Sequence, residues 1–458
     1  MKLKVNALLD SGFAPMSLVC REMREATVND GQDIVVAAER NKGYTSVYKT
    51  RIYKDNTGHD EENFKFIDRI AKTLLWASGG YKLTIAGSEA VGEYIKKAFS
   101  HGGSRDFDVR FMERVYERDF EVVVTDLASA PEEKGSAFPV GRHLDGCRIG
   151  FDAGGSDRKV SAVVNGETVY SEEVVWFPKT NSDPDYHYQG ILDAMKTAAS
   201  HMPRVDAIGV SSAGVYIDNK IMVASLFLKV SDEDFEKRVK NMYIDVAREI
   251  GENIPIEVAN DGDVTALAGA MSLNDNGILG IAMGTSEAAG YVDMDGNITG
   301  WLNELAFAPV DYNEDSMIDE WSGDYGCGVK YFSQDSVIKL APAAGIELDE
   351  SLSPAEKLKV VQNLMAEGDE RAKSIYDTIG VYFGYAIAYY CEFYDIKQVL
   401  IMGRVTSGEG GAILLERARE VLRTEFPEFA EKVTLNIPDE RARRVGQSVA
   451  AASLPEIK

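Results

Sequence analysis

Cysteine and histidine are both scarce in this chain. Its four cysteines, Cys20, Cys147, Cys327 and Cys391, are scattered over 458 residues with no CxxC pair. That spacing argues against a zinc cluster or a disulfide framework and fits a reducing, cytoplasmic location. The five histidines, His59, His101, His143, His187 and His201, form no HExxH or other ligand spacing. No apolar run approaches the roughly 20 residues that span a bilayer. The N-terminus carries Lys2, Lys4 and a short apolar patch that Asp10 interrupts, so no signal peptide is expected. Positive charge is also short: 49 Lys and Arg face 74 Asp and Glu, a net charge of −25. Such a chain repels nucleic-acid backbones and anionic membranes, and neither is an expected partner. Finally, no Walker loop of the form GxxxxGK[ST] occurs.

What is present is centred on 148–164, RIGFDAGGSDRKVSAVV. Two β-rich runs flank a glycine-rich turn, which reads as a hairpin. Gly154 and Gly155 let backbone come close to a bulky anion, and successive N–H groups there can cradle phosphate oxygens. Ser156 adds a hydroxyl. Asp152, at the end of the first run, is placed to hold a hydrated Mg²⁺ beside such phosphates. The turn opens no helix, so it is not a dinucleotide-binding fingerprint.

The length suggests about three domains. Residues 1–146 read as an α/β unit of their own, closing in a linker rich in Pro, Gly and charge at 128–146. Strands are expected at 33–39, 45–53, 83–86 and 120–124, and helices at 61–77 and after Ser88, a plausible N-cap. No chemical motif appears there, and the unit reads as an accessory packing or dimerisation element, which leaves a homodimer open. Beyond the hairpin, the strand 254–259 runs into Asn260-Asp261-Gly262-Asp263 ahead of a small apolar helix at 264–271. An acidic pair at a strand's carboxyl end is where open α/β sheets place active sites. The strand 277–282 then leads to Gly284-Thr285-Ser286-Glu287 and a second strand, repeating the strand–loop–strand idea of the hairpin. The final third is mostly helical, with a strand at 398–402 ending in the glycine turn 403–411.

In this order the motifs resemble those of the ROK family of sugar kinases, within the actin/hexokinase superfamily. DAGGSDRK is similar to that family's first phosphate loop, ANDGDVTALAGA to its NDAN helix entry, and MGTSEAAGYV to its second phosphate loop. WLNELAF is similar to its GExGH segment, and MGRVTSGEGG to its adenosine-side turn. The resemblance covers about residues 147–455. It implies an α/β fold of two ribonuclease-H-like lobes, the actin-like ATPase fold, around a cleft. The first lobe would be 147–262 completed by 441–458, and the second 263–440.

The resemblance further implies ATP-dependent phosphorylation of a sugar hydroxyl, on a hexose or amino sugar, with ATP and Mg²⁺. Asp261 would be the general base, taking the hydroxyl proton as the oxygen attacks the γ-phosphate. Asn260, Glu304 and Ser225 would bind the sugar. Asp152, Gly154, Gly155, Ser156, Gly284, Thr285, Ser286, Gly403 and Arg404 would bind the nucleotide, with Asp152 the metal ligand. Four departures stand out. The GExGH histidine is replaced, since Glu304-Leu305 runs into Ala306-Phe307. The cysteine-rich zinc motif is absent, so no zinc is expected. Glu287 stands where the family has a small or apolar residue. Ser225 stands where it has Asn. The missing histidine, Ser225 and Glu287 favour an alternative, a non-catalytic sensor or scaffold that binds sugar or nucleotide.

Overall fold

The computed structural model describes residues 2–135, 140–438 and 440–457. Its contacts divide the chain into two compact units. Unit 1 comprises Met1–Ser136, Ile281–Ala289 and Gly300–Ile437, and unit 2 comprises Ala137–Gly280, Gly290–Thr299 and Pro438–Lys458. Among the described residues no helix is long and apolar enough to cross a membrane.

The N-terminal part of unit 1 is a four-stranded sheet of β1 (Gly31–Glu39), β2 (Thr45–Tyr53), β3 (Lys82–Ala86) and β4 (Glu121–Thr125), in the order β2-β1-β3-β4. The helix Asp60–Ser78 is buried along almost its whole C-terminal two-thirds, Arg69 and Lys72 included. Buried cations need partners. They find one in Asp324, whose carboxylate takes Lys72 at 2.6 Å and Arg69 and Arg105 at 2.7 Å each. Burial alone would raise the Asp324 carboxyl; Arg69, Lys72 and Arg105 together hold it well below the usual carboxylate range. The helix Asp60–Ser78 and Arg105 are thereby joined to the segment around Asp324 within unit 1. The aromatic rings agree: Phe307 lies against Trp76 at 4.4 Å and Phe107 at 5.5 Å between centroids.

Unit 2 is built on β5 (Cys147–Ala153), β6 (Asp157–Val164), β7 (Glu167–Val175), β8 (Ala207–Ser212), the short hairpin β9 (Val215–Ile217) and β10 (Lys220–Val223), and β11 (Ile256–Asn260). The main sheet has the order β11-β8-β5-β6-β7. Its first three strands are mutually parallel, and the hairpin strands run antiparallel. β5 is buried throughout, because both faces are covered. On one face Ile149 and Phe151 join the core with Ile191, Met195 and Tyr243. On the other, the helix Glu440–Ala452 approaches through Gly150 and Gly209, which are register partners. A methyl group on Gly150 would come within 2.0 Å of the Ser448 carbonyl, and one on Gly209 within 1.6 Å of the Ala451 carbonyl. Glycine is therefore required at both.

β12 (Ile278–Met283), β13 (Glu287–Val292), β14 (Gln398–Met402) and β15 (Thr434–Asn436) form a third sheet in the order β13-β12-β14-β15. The boundary between the units falls within β12 and β13. Two long helices of unit 1, Glu370–Tyr390 and Glu409–Glu425, pack through Gly380 and Gly384.

Candidate functional site

The candidate chemistry of unit 2 gathers at one edge of its sheet. Ala153, Ser212 and Asn260 are aligned in register across β5, β8 and β11. The three parallel strands therefore end side by side, and the hairpin tip, residue 213 and Asp261 all begin there. Carboxyl ends of parallel strands are the usual place for ligands in open α/β sheets.

The tip is Gly154-Gly155-Ser156, joined below by the cross-strand pair Ala153–Arg158. Two bonds from Trp176 hold it: its backbone N–H donates to the Ser156 carbonyl at 3.1 Å and its Nε1 to the Gly154 carbonyl at 2.8 Å. Asp152, one residue below the tip, is buried. It accepts a hydrogen bond from Ser211 Oγ at 2.8 Å on Oδ1, and Lys159 Nζ stands 3.9 Å from Oδ2. Burial pushes its carboxyl up to about 6, Ser211 and Lys159 pull it back, and nearby Asp261 and Asp157 add to the rise. A buried, under-neutralised carboxylate at a phosphate-sized loop suits a divalent cation that brings its own waters and phosphates. No group of three or more His, Cys, Asp or Glu able to hold a metal ion occurs among the described residues. Mg²⁺ bound through one carboxylate and phosphate oxygens requires none.

At the neighbouring strand end the helix is Asp261–Leu273, three residues longer at its start than its apolar pattern suggests. Asn260 is the cap. Its Oδ1 accepts from Gly262 N at 2.7 Å and its Nδ2 donates to the Gly214 carbonyl at 2.7 Å. Capping is thus the work of Asn260, and Asp261 occupies the first helical turn, half-buried. Burial raises the Asp261 carboxyl, while the Gly262 N–H and Lys179 lower it. Asp263 points inward and accepts from Tyr291 N at 3.0 Å, a structural bond. Gly214, held by Asn260, also touches Val223 and Ala224, which brings the 3-10 turn Ser225–Phe227 to the same side, with Ser225 half-buried.

In unit 1 the second glycine loop and the glycine turn at 403–411 meet. Arg404 Nη2 donates to Thr285 Oγ1 at 2.8 Å. Gly403, at φ 100°, lies so close to Met283 that a methyl group would come within 2.3 Å of its carbonyl oxygen. Gly284 N donates to the Ser286 carbonyl at 3.0 Å, and its own carbonyl accepts from Gln334 N at 2.9 Å. Glu287, next in sequence, does not face the loop's exterior. It is 3% exposed, and both carboxylate oxygens lack a hydrogen-bond partner among the described residues. Burial, with a smaller push from Glu304, raises its carboxyl well above the ordinary range. The rise favours the neutral acid, which repels phosphate less than a carboxylate does. Glu304 is half-buried and held by its backbone N–H to the Trp76 carbonyl at 3.0 Å. Phe307, standing where the family has histidine, is committed to the Trp76–Phe107 cluster.

Four contributors did not announce themselves in the sequence: Ser211, Lys159, Trp176 and Lys179. Ser211 lies next to the end of β8, a strand that reads as plain core, and the other three flank the tip only once the hairpin folds.

The fold itself is shared with known proteins. No protein-family profile matches the chain, and no curated protein sequence matches it. Solved structures do. A ROK hexokinase from Thermus thermophilus superposes with a TM-score of 0.50 at 17% identity, over 66% of this chain and 97% of that one. A ROK family transcriptional regulator, a homologue of the E. coli MLC protein, gives 0.51 at 18%, over 68% and 79%. The chain is a mixed α/β protein with the actin-like ATPase fold of ROK proteins. That fold serves both a kinase and a regulator, so the function rests on the site.

Proposed function

We propose that the chain is a ROK-type sugar kinase, transferring the γ-phosphoryl group of ATP to a hydroxyl of a hexose or amino sugar. The observation that carries this is Asp261: a half-buried carboxylate whose Oδ1 shares the Gly262 N–H with the capping Asn260, at the same sheet edge as a glycine-tipped hairpin and the buried Asp152. A neutral hydroxyl is a weak nucleophile, and a carboxylate within hydrogen-bond reach takes its proton as negative charge develops. Asn260, Ser225 and Glu304 are assigned to the sugar. Gly154, Gly155 and Ser156 are assigned to phosphates, as are Gly284, Thr285 and Ser286. Gly403 and Arg404 are assigned to the nucleoside side. Asp152 would hold Mg²⁺, which supplies charge neutralisation to the phosphates when bound.

The test is ADP release against a panel of hexoses, amino sugars and sugar acids. Asp261→Asn, which preserves shape, is expected to lower kcat by roughly 10²- to 10⁴-fold. Turnover with no acceptor above the water background would overturn the reading. A second reading, a sugar- or nucleotide-binding sensor without turnover, is favoured by the Phe307 substitution and by the regulator among the structural neighbours. It is distinguished by a ligand-induced thermal shift without ADP release.

A further inference from the structure

We propose that Lys179, which the site assignment above does not include, contacts the terminal phosphoryl group of the bound nucleoside triphosphate; this rests on the kinase reading. Lys179 lies in the 3-10 turn Pro178–Thr180 that follows β7. The turn is anchored on both sides. Trp176, two residues before the turn, is bonded to the Gly154 and Ser156 carbonyls. The Pro178 carbonyl accepts from His187 Nε2 at 3.1 Å. From this fixed base the lysine reaches across the hairpin tip. A methyl carbon built on Gly155 would lie 2.7 Å from its Cε and 3.0 Å from its Nζ. With no side chain at 155, the ammonium lies directly over the loop.

The charges around the tip indicate what the ammonium is for. Lys159 is engaged by Asp157 at 3.0 Å and Asp152 at 3.9 Å. Arg158 stacks over Trp176 at 5.9 Å. Lys179 is exposed and, among the described residues, makes no hydrogen bond or ion pair, yet it acts on Asp261 electrostatically. An unpaired cation held between a glycine loop and a general base is placed for a group that carries two negative charges and reacts beside that base. The terminal phosphoryl of a triphosphate meets both conditions. The cation offsets charge on its equatorial oxygens during transfer.

The test is binding of a non-hydrolysable ATP analogue and of ADP, both with Mg²⁺, to wild type, Lys179→Gln and Lys179→Arg, alongside kcat and KM for ATP. Lys179→Gln is expected to weaken the triphosphate analogue about 10- to 100-fold, the range of a lost charged hydrogen bond. ADP should change less than about twofold, and Lys179→Arg should recover most of the loss. Equal weakening of both nucleotides, or of neither, overturns the assignment while leaving a turning-over wild type as a kinase. A wild type that binds neither nucleotide overturns both. Because Lys179 is exposed and unpaired, none of the changes removes a packing contact, and circular dichroism of each variant should match wild type.

Discussion

Replacing Asp152 by Asn should make the protein more stable, and more so as pH rises. The folded state lifts this carboxyl from 3.8 to about 6. At about 1.36 kcal/mol per pH unit, the displacement is worth about 3 kcal/mol. The sign follows from proton counting. Between the two values the folded chain holds the proton more tightly than the unfolded chain, so stability falls as pH rises through that window and levels off above it. Integrating the two titrations, about 1.6 kcal/mol of the penalty is present at pH 5 and nearly all of the 3 kcal/mol by pH 7.5. Asn keeps an acceptor for Ser211 Oγ, which bonds Oδ1 at 2.8 Å, but cannot ionise. The stability gap between Asp152→Asn and wild type should therefore widen by about 1.4 kcal/mol from pH 5 to 7.5. Native-state hydrogen exchange of the β5 and β8 amides reads it directly, since those strands flank the Asp152–Ser211 pair and report the opening of their own sheet. The same variant should lose nucleotide turnover. A gap that stays flat with pH, or that closes, would refute the claim that burial dominates this carboxyl.

Two further stability changes, both in unit 1, test the same electrostatic reasoning with opposite signs. Asp324→Asn leaves Arg69, Lys72 and Arg105 buried without their shared counter-charge. It should cost about 3–5 kcal/mol in urea unfolding, and a loss under about 1 kcal/mol would mean the cluster carries little of the packing between 1–136 and 300–437. Glu287→Gln should stabilise at neutral pH, because a buried carboxyl whose folded pKa is raised is most stable at low pH and loses stability as pH rises above its unfolded value. Its thermal advantage should shrink toward pH 5, and an advantage independent of pH would show that Glu287 is not buried as an acid.

What was legible in the sequence was local. The turn at 154–156 and the strand-to-helix switch at 260–261 follow from glycine tolerance and from side-chain capping within a few residues, and the structure has both. The helix begins ahead of the expected 264 because Asn260 takes the cap. β7 escaped notice because none of its residues is buried: exposed and half-buried positions alternate, and the charged Glu172 falls among the half-buried ones, so no apolar face marks a strand. Lys179 and Trp176 matter only because that strand brings the following turn back over the hairpin tip. The packing of residues 1–136 was hidden for the same reason on a larger scale: Arg69 and Lys72 find Asp324 more than 250 positions away.

The departures from the family pattern can be weighed by the same physics. Phe307 is not a vacant histidine position; its ring fills a cluster with Trp76 and Phe107. The change accompanies the N-terminal helices of unit 1, so it need not mark decay of catalysis. Glu287 is buried, and burial raises its carboxyl well above the ordinary range. Against these stand two carboxyls, Asp152 and Asp261, that the fold holds at raised pKa and at a cost to stability. A scaffold gains nothing from groups that destabilise it; Glu287 carries a cost of the same kind, and what sets Asp152 and Asp261 apart is where they stand. Residues that lower stability are expected where activity requires them, and both sit where three parallel strands end together. The kinase reading rests on that placement.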